Sequence, residues 1–281
     1  MAATSKQREG KVMVPWARDT VTSARAADLR ALMHEVTHNM PRRWSLLSID
    51  PGKVRVMTLV LLYHRNTAPL VFDAYLAASR GDASGLALMS LAYDRIWPSL
   101  FTWGDLAAKA VSADYDSSRD YAADLDPPQS TIGSPLGRLL WGPLRFGTWP
   151  TSRIPEEYRR VRPSGVETLL ISGNLDFSSP AEVAESELLP HLANGRHVVL
   201  SDMGHVDDTW GSRQQGVNLL LTSFYETGIA NDSLINHVPI DFRVRRGFPT
   251  IAKIGRGVVV GGAVIVIGGL TLALGLGTSG A

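Results

Sequence analysis

Most apolar positions in this chain recur at helical spacing, but two short runs do not. Residues 166–172 (VETLLIS) and 197–201 (HVVLS) are rich in β-branched and aliphatic residues and have strand length. Gly173 closes the first run. Between the two, residues 180–192 carry Ala, Glu and Leu, all good helix formers. Ser179 is placed as an N-cap, Pro180 as a first helical residue, and Asn194 and Gly195 as a stop. Strand, helix, strand in about forty residues predicts a βαβ unit with parallel strands and a right-handed crossover. Upstream, the spacing predicts helices over 23–40, 53–63, 69–79, 83–96 and 103–111. Their aromatic residues, Tyr63, Tyr75 and Trp103 among them, read most simply as core, with the lining of a substrate pocket under the cap as the alternative. Downstream, Val217, Leu220, Leu221 and Phe224 recur at i, i+3, i+4 and i+7, which predicts an amphipathic helix over 212–227, ended by Gly228.

The two strand-like runs carry the candidate chemistry. Asp176 and His205 each follow the carboxyl end of one run, where open α/β sheets hold their sites. A histidine there, oriented by a carboxylate, can serve as a general base because its ordinary pKa lies near neutrality. The carboxylate would fix the imidazole tautomer and stabilise the imidazolium. The plainer alternative is a turn aspartate and a loop histidine.

The wider pattern favours the first reading. Residues 169–205 (LLISGNLDFSSPAEVAESELLPHLANGRHVVLSDMGH) resemble the C-terminal region of α/β-hydrolases, in the branch of tripeptidyl-aminopeptidase-like and proline-iminopeptidase-like proteins. GNLDFSSP matches that branch's acid-bearing segment and DMGH its histidine turn. The resemblance thus implies Asp176 as triad acid and His205 as triad base. Residues 141–173 look like the family's approach to the acid-bearing strand, and 63–82 (YHRNTAPLVFDAYLAASRGD) resemble its helical cap. The implied fold is α/β: the C-terminal part of an α/β-hydrolase sheet with a helical cap. The implied activity is that of a serine peptidase or esterase, without a cofactor.

The nucleophile is the missing part. The serine elbow of such enzymes has the form G-x-S-x-G, and that pattern occurs nowhere in the 281 residues. Ser178 and Ser179 lie on the loop of Asp176 and read as turn and cap. Ser134, in GSPLG, is one position out of pattern and is followed by Pro135. The expected partner is therefore a separate N-terminal hydrolase half that supplies the serine. Without it the chain would be inactive alone, or a non-catalytic remnant or interaction module.

Residues 34–38 (HEVTH) offer a competing motif. On a helix His34 and His38 share one face, and Glu35 could act as base in a zinc peptidase. Pro41 ends that helix, and no glutamate follows until Glu156 to act as third ligand. Two polar positions on an amphipathic helix explain the motif as well, so no metal is expected.

Composition narrows the classes. A hydrophobic content of 44% with 20% charged residues indicates a folded chain, not a disordered one. A net charge of +1 gives no broad field for nucleic acid. With no cysteine, thiol nucleophiles and thiolate metal sites are excluded, and a reducing compartment fits. The acidic residues of 114–126 lack EF-hand spacing and read as a solvated loop. No apolar leader occurs near Met1.

Residues 257–277 contain no charge. At 1.5 Å per residue they would span roughly 31 Å, the reach of a transmembrane helix. Arg243, Arg245, Arg246, Lys253 and Arg256 precede the run, which predicts a single pass through a lipid bilayer with the folded part cytoplasmic. Gly257 and Gly261 form a GxxxG pair that would suit a homodimer. The expected divisions are a polar tail (1–18), a helical cap-like region (19–125), the hydrolase-like region (126–228), a basic linker (229–256) and the transmembrane segment (257–277).

Overall fold

The computed structural model describes residues 20–100, 102–116, 118–125, 127–141, 153–205, 214–236 and 239–258. The first half of the chain is a helical unit. Helix α1 (Thr20–His38) is followed by a small antiparallel hairpin, β1 (Arg43–Trp44) and β2 (Leu47–Ser48). Its turn places Ser45 at a left-handed φ of 54°. Helix α2 (Pro51–Leu62) starts where the sequence supplies a start: Asp50 accepts a 3.0 Å hydrogen bond from the Lys53 amide, and Pro51 opens the first turn. Helices α3 (Ala68–Ser79) and α4 (Ser84–Leu100) complete the packed group, with α2 against α4 and α1 against α3.

Its interior is built from Met33 and Val36 of α1, Val54 of α2, Val71 and Tyr75 of α3, and Leu86 of α4. Tyr75 is fully buried, and its hydroxyl shares a 3.0 Å hydrogen bond with Thr58. This unit therefore has a core of its own. Three further helices follow, α5 (Trp103–Asp114), α6 (Tyr121–Leu125) and α7 (Pro135–Trp141). α6 lies inside the stretch expected to be loop.

The α/β part is small. Strands β3 (Thr168–Gly173) and β4 (Gly195–Leu200) pair in parallel, in a register running from Thr168 opposite Gly195 to Gly173 opposite Leu200. The crossover is one irregular helical stretch. A turn of α-helix, α8 (Ala181–Val183), passes into a π-helical turn (Ala184–Leu188) and then a 3₁₀ turn (Leu189–His191). Pro190 accounts for the final tightening, since it has no amide for an α-helical bond. Helix α9 (Gln214–Thr227) buries Val217 and Leu220, with Ile235 and Leu234 closing over Gly216.

The expected fold class is overturned. The described residues form a mixed α/β structure, mostly helical, with two two-stranded sheets. This is not the last part of a hydrolase sheet under a lid. The physical reason is that only two runs have strand character, while the upstream residues bury one another as helices around their own core.

The membrane assignment is corrected as well. Among the described residues no helix is long and apolar enough to cross a membrane. Of the expected span 257–277, only Gly257 and Val258 are described; the remainder, including Gly261, lies outside the described residues. Three of the five basic residues ahead of it, Arg243, Lys253 and Arg256, are engaged by protein. Two of them sit on a helix over 248–258, where Lys253 pairs with Asp82 at 2.6 Å and Arg256 lies 5.6 Å from the centre of the Trp44 ring, while Arg243 pairs with Asp241 at 2.9 Å. Phe248 packs on the helical core, and Ala252 is buried. A single-pass membrane protein with a cytoplasmic head is thus not supported.

Candidate active site

The loops that follow β3 and β4 are tied together before any catalytic group is considered. Beyond the last strand pair, the Asn174 amide donates to the Leu200 carbonyl at 3.1 Å and the Leu175 amide to that of Met203 at 2.9 Å. The Asn174 side chain accepts from the Asp202 amide at 2.7 Å, holding Asp202 at a left-handed φ of 56°. Gly173 is required at the crossing point: a Cβ there would collide with the carbonyl oxygens of Met203 and Gly204. Buried Arg65 reaches across from the helical unit and donates to the carbonyls of Asp202 at 3.2 Å and Pro239 at 3.0 Å.

On that frame Asp176 and His205 meet. His205 Nδ1 lies 2.8 Å from Asp176 Oδ2. The same oxygen accepts from the Ser179 hydroxyl at 2.8 Å, and Oδ1 accepts from the amides of Ser178 and Ser179 at 2.9 and 3.0 Å. Four donors thus converge on one carboxylate that is only 8% exposed. Burial by itself pushes the Asp176 pKa up. The Ser179 amide, His205, the Ser179 hydroxyl and the Ser178 amide together outweigh it and hold the carboxyl below its ordinary value. Asp176 is therefore ionised at neutral pH, which makes Nδ1 of His205 the protonated nitrogen. Nε2 is left as the basic nitrogen, and among the described residues it has no hydrogen-bond partner. The His205 side chain is one-third exposed.

Tyr63, just past α2, is the residue that spacing along the chain did not identify. Its carbonyl accepts from the His205 amide at 2.9 Å, and its ring lies 4.8 Å from the imidazole and 5.2 Å from Phe177. Its hydroxyl donates to Ser178 Oγ at 3.3 Å. Tyr63 thus links the helical unit to both halves of the dyad. Its aromatic character alone reads as core or pocket lining, and nothing near it in sequence points to His205.

No serine completes the group among the described residues. Ser178 and Ser179 serve the acid, and the Ser179 side chain does so in place of capping a helix. The Ser134 carbonyl accepts from the Arg138 amide in the first turn of α7. One serine does contact a histidine elsewhere: Ser172 Oγ lies 3.0 Å from His197 Nε2, with Glu185 3.5 Å from Nδ1. The His197 side chain is only 4% exposed, so this contact ties β3, β4 and the crossover together.

The HEVTH histidines do share one face of α1, with rings stacked 4.0 Å apart. His38 Nδ1 is engaged with the His34 carbonyl at 2.8 Å. Among the described residues no three His, Asp or Glu side chains are grouped to hold a metal ion. The arrangement offers one acid–base pair with an open basic nitrogen.

No protein-family profile, curated protein or solved structure matches this chain.

Proposed function

We propose that this chain supplies the acid and base of a serine hydrolase of peptidase or esterase type, and that the serine comes from a separate hydrolase half on another chain. Asp176 holds and charges against His205, and His205 Nε2 takes the proton from the incoming hydroxyl as the serine oxygen attacks an acyl carbon. The same nitrogen then gives that proton to the leaving group. The observation that supports this most is the dyad itself: a four-donor carboxylate 2.8 Å from an imidazole whose other nitrogen is unpartnered among the described residues. A turn aspartate needs no histidine, and a loop histidine needs no ionised partner. The likeness of residues 169–205 to the acid and histidine segments of α/β-hydrolases points the same way.

The test is a fluorophosphonate probe, which reacts with activated serines. Purified alone, the chain is expected to remain unlabelled. Used as bait in cells that express it, it should retain a second protein that the probe labels, and a His205→Ala bait should retain that protein without labelling. Labelling of this chain alone, or of the partner regardless of His205, would overturn the proposal.

A further inference from the structure

Among the described residues no strand pairs with the edge of β3 that faces away from β4, and a cavity adjoins this strand. In a parallel pair, alternate residues of a strand bond to the partner and the intervening ones point the other way. The Thr168 amide donates to Asn194 and the Asn174 amide to Leu200, so the even-numbered residues face β4. Leu169, Ile171 and Gly173 therefore aim their backbone groups at the opposite edge. Among the described residues, the amides and carbonyls of Leu169 and Ile171 and the amide of Gly173 have no partner there; the Gly173 carbonyl accepts from Asp176.

A cavity of about 430 Å³ adjoins β3. Four consecutive residues, Leu170 to Gly173, line it. None of the β4 residues Gly195–Leu200 lines it, so it lies on the β3 side of the pair, under the crossover. Its outer walls are mostly apolar, with Val161, Val183, Ala184 and Leu188 among them. Val161 is 48% exposed and Val166, just before the strand, 69%.

A row of alternating backbone donors and acceptors beside an apolar trench is complementary to one kind of ligand: an extended backbone with apolar side chains. We propose that this edge binds an extended apolar segment of a partner protein as a third strand beside β3. The site stands on backbone geometry and does not need the hydrolase reading to hold. Asp176 and Ser179 are among its walls, so an added strand would end beside the carboxylate.

The test uses the full chain and a displayed library of random linear peptides. Selected peptides should alternate apolar and other residues. In the best of them, methylating single backbone amides should weaken binding about tenfold at every second position and hardly at all between. Ile171→Pro should weaken binding by a similar factor, because the lost amide is outside the β3–β4 ladder; Leu170→Pro breaks that ladder and serves as contrast. The methylation pattern reads the proposal even if the proline variant unfolds. Failure to select any peptide, or equal tolerance of methylation at all positions, would overturn it. So would concentration-dependent self-association that Ile171→Pro abolishes, since a second copy would then be the occupant.

Discussion

Replacing Asp176 by asparagine exchanges one oxygen for an NH₂ group and should move the His205 proton from Nδ1 to Nε2. The carboxylate accepts four hydrogen bonds, two on each oxygen. An asparagine oxygen can keep the Ser178 and Ser179 amides, but its NH₂ then faces the Ser179 hydroxyl and His205 Nδ1 as a donor. The hydroxyl can rotate to accept. The imidazole has to move its proton to Nε2, and the basic lone pair then points at residue 176. Exchanging a charge-assisted bond of about 1.5–3 kcal/mol for a neutral one of about 0.5–1.5 leaves a loss of roughly 1–2 kcal/mol. For a chain of this size that lowers the thermal midpoint by a few degrees, at about 2–4 °C per kcal/mol. Asp176→Ala should cost more, about 3 kcal/mol or above, because all four donors lose their acceptor and the site is 8% exposed. Proton-detected ¹⁵N spectra of the imidazole report the tautomer, and thermal unfolding reports the stability. If His205 keeps its proton on Nδ1 in Asp176→Asn, or if alanine costs no more than asparagine, the account of the dyad is refuted.

Three further outcomes follow from the same geometry. Tyr63→Ala removes the ring packed on His205 and Phe177, a contact of about 0.5–1.5 kcal/mol beyond its buried area. Amide exchange over 201–205 should therefore quicken, while Tyr63→Phe should leave it nearly unchanged; equal rates in all three proteins would remove Tyr63 from the site. Gly173→Ala forces a methyl against two backbone carbonyls that cannot step aside; it should destabilise the protein by about 1–3 kcal/mol, measured by urea unfolding. Acid unfolding carries a sign: Asp176 binds its proton less readily in the folded chain than in the unfolded one. Its contribution is then complete above the ordinary carboxylate value and lost as pH falls through the lower native value, so Asp176→Asn should flatten that part of the stability–pH curve.

What the amino acids disclose in advance follows the range of the physics. The parallel pairing of β3 and β4 could be read because β-branched runs, a closing glycine and a helix-forming crossover are local signals. Helix α2 could be read from Asp50, Pro51 and its apolar spacing. The overall sheet could not. A family likeness over residues 169–205 suggested a larger sheet, yet only two runs have strand character and the helices upstream of them bury each other around Tyr75. The membrane span expected at 257–277 rested on an uncharged run and the basic residues before it, and among the described residues no helix is long and apolar enough to cross a membrane. Lys253 and Arg256 instead find Asp82 and Trp44, which lie far off in sequence. The contacts of Tyr63 and Arg65 with the His205 loop are not legible in sequence for the same reason: they span more than a hundred residues, and no periodicity encodes such a contact.

The central claim is that His205 is the base for a serine carried elsewhere. It is tested most directly by the rate at which a fluorophosphonate modifies the serine of the captured partner, with the adduct located by mass spectrometry. Wild-type chain should support modification on the partner alone, and His205→Ala should slow it by about 10²–10⁴-fold, the range of a positioned general base. An adduct on a serine of this chain, or an unchanged rate with His205→Ala, would contradict the account.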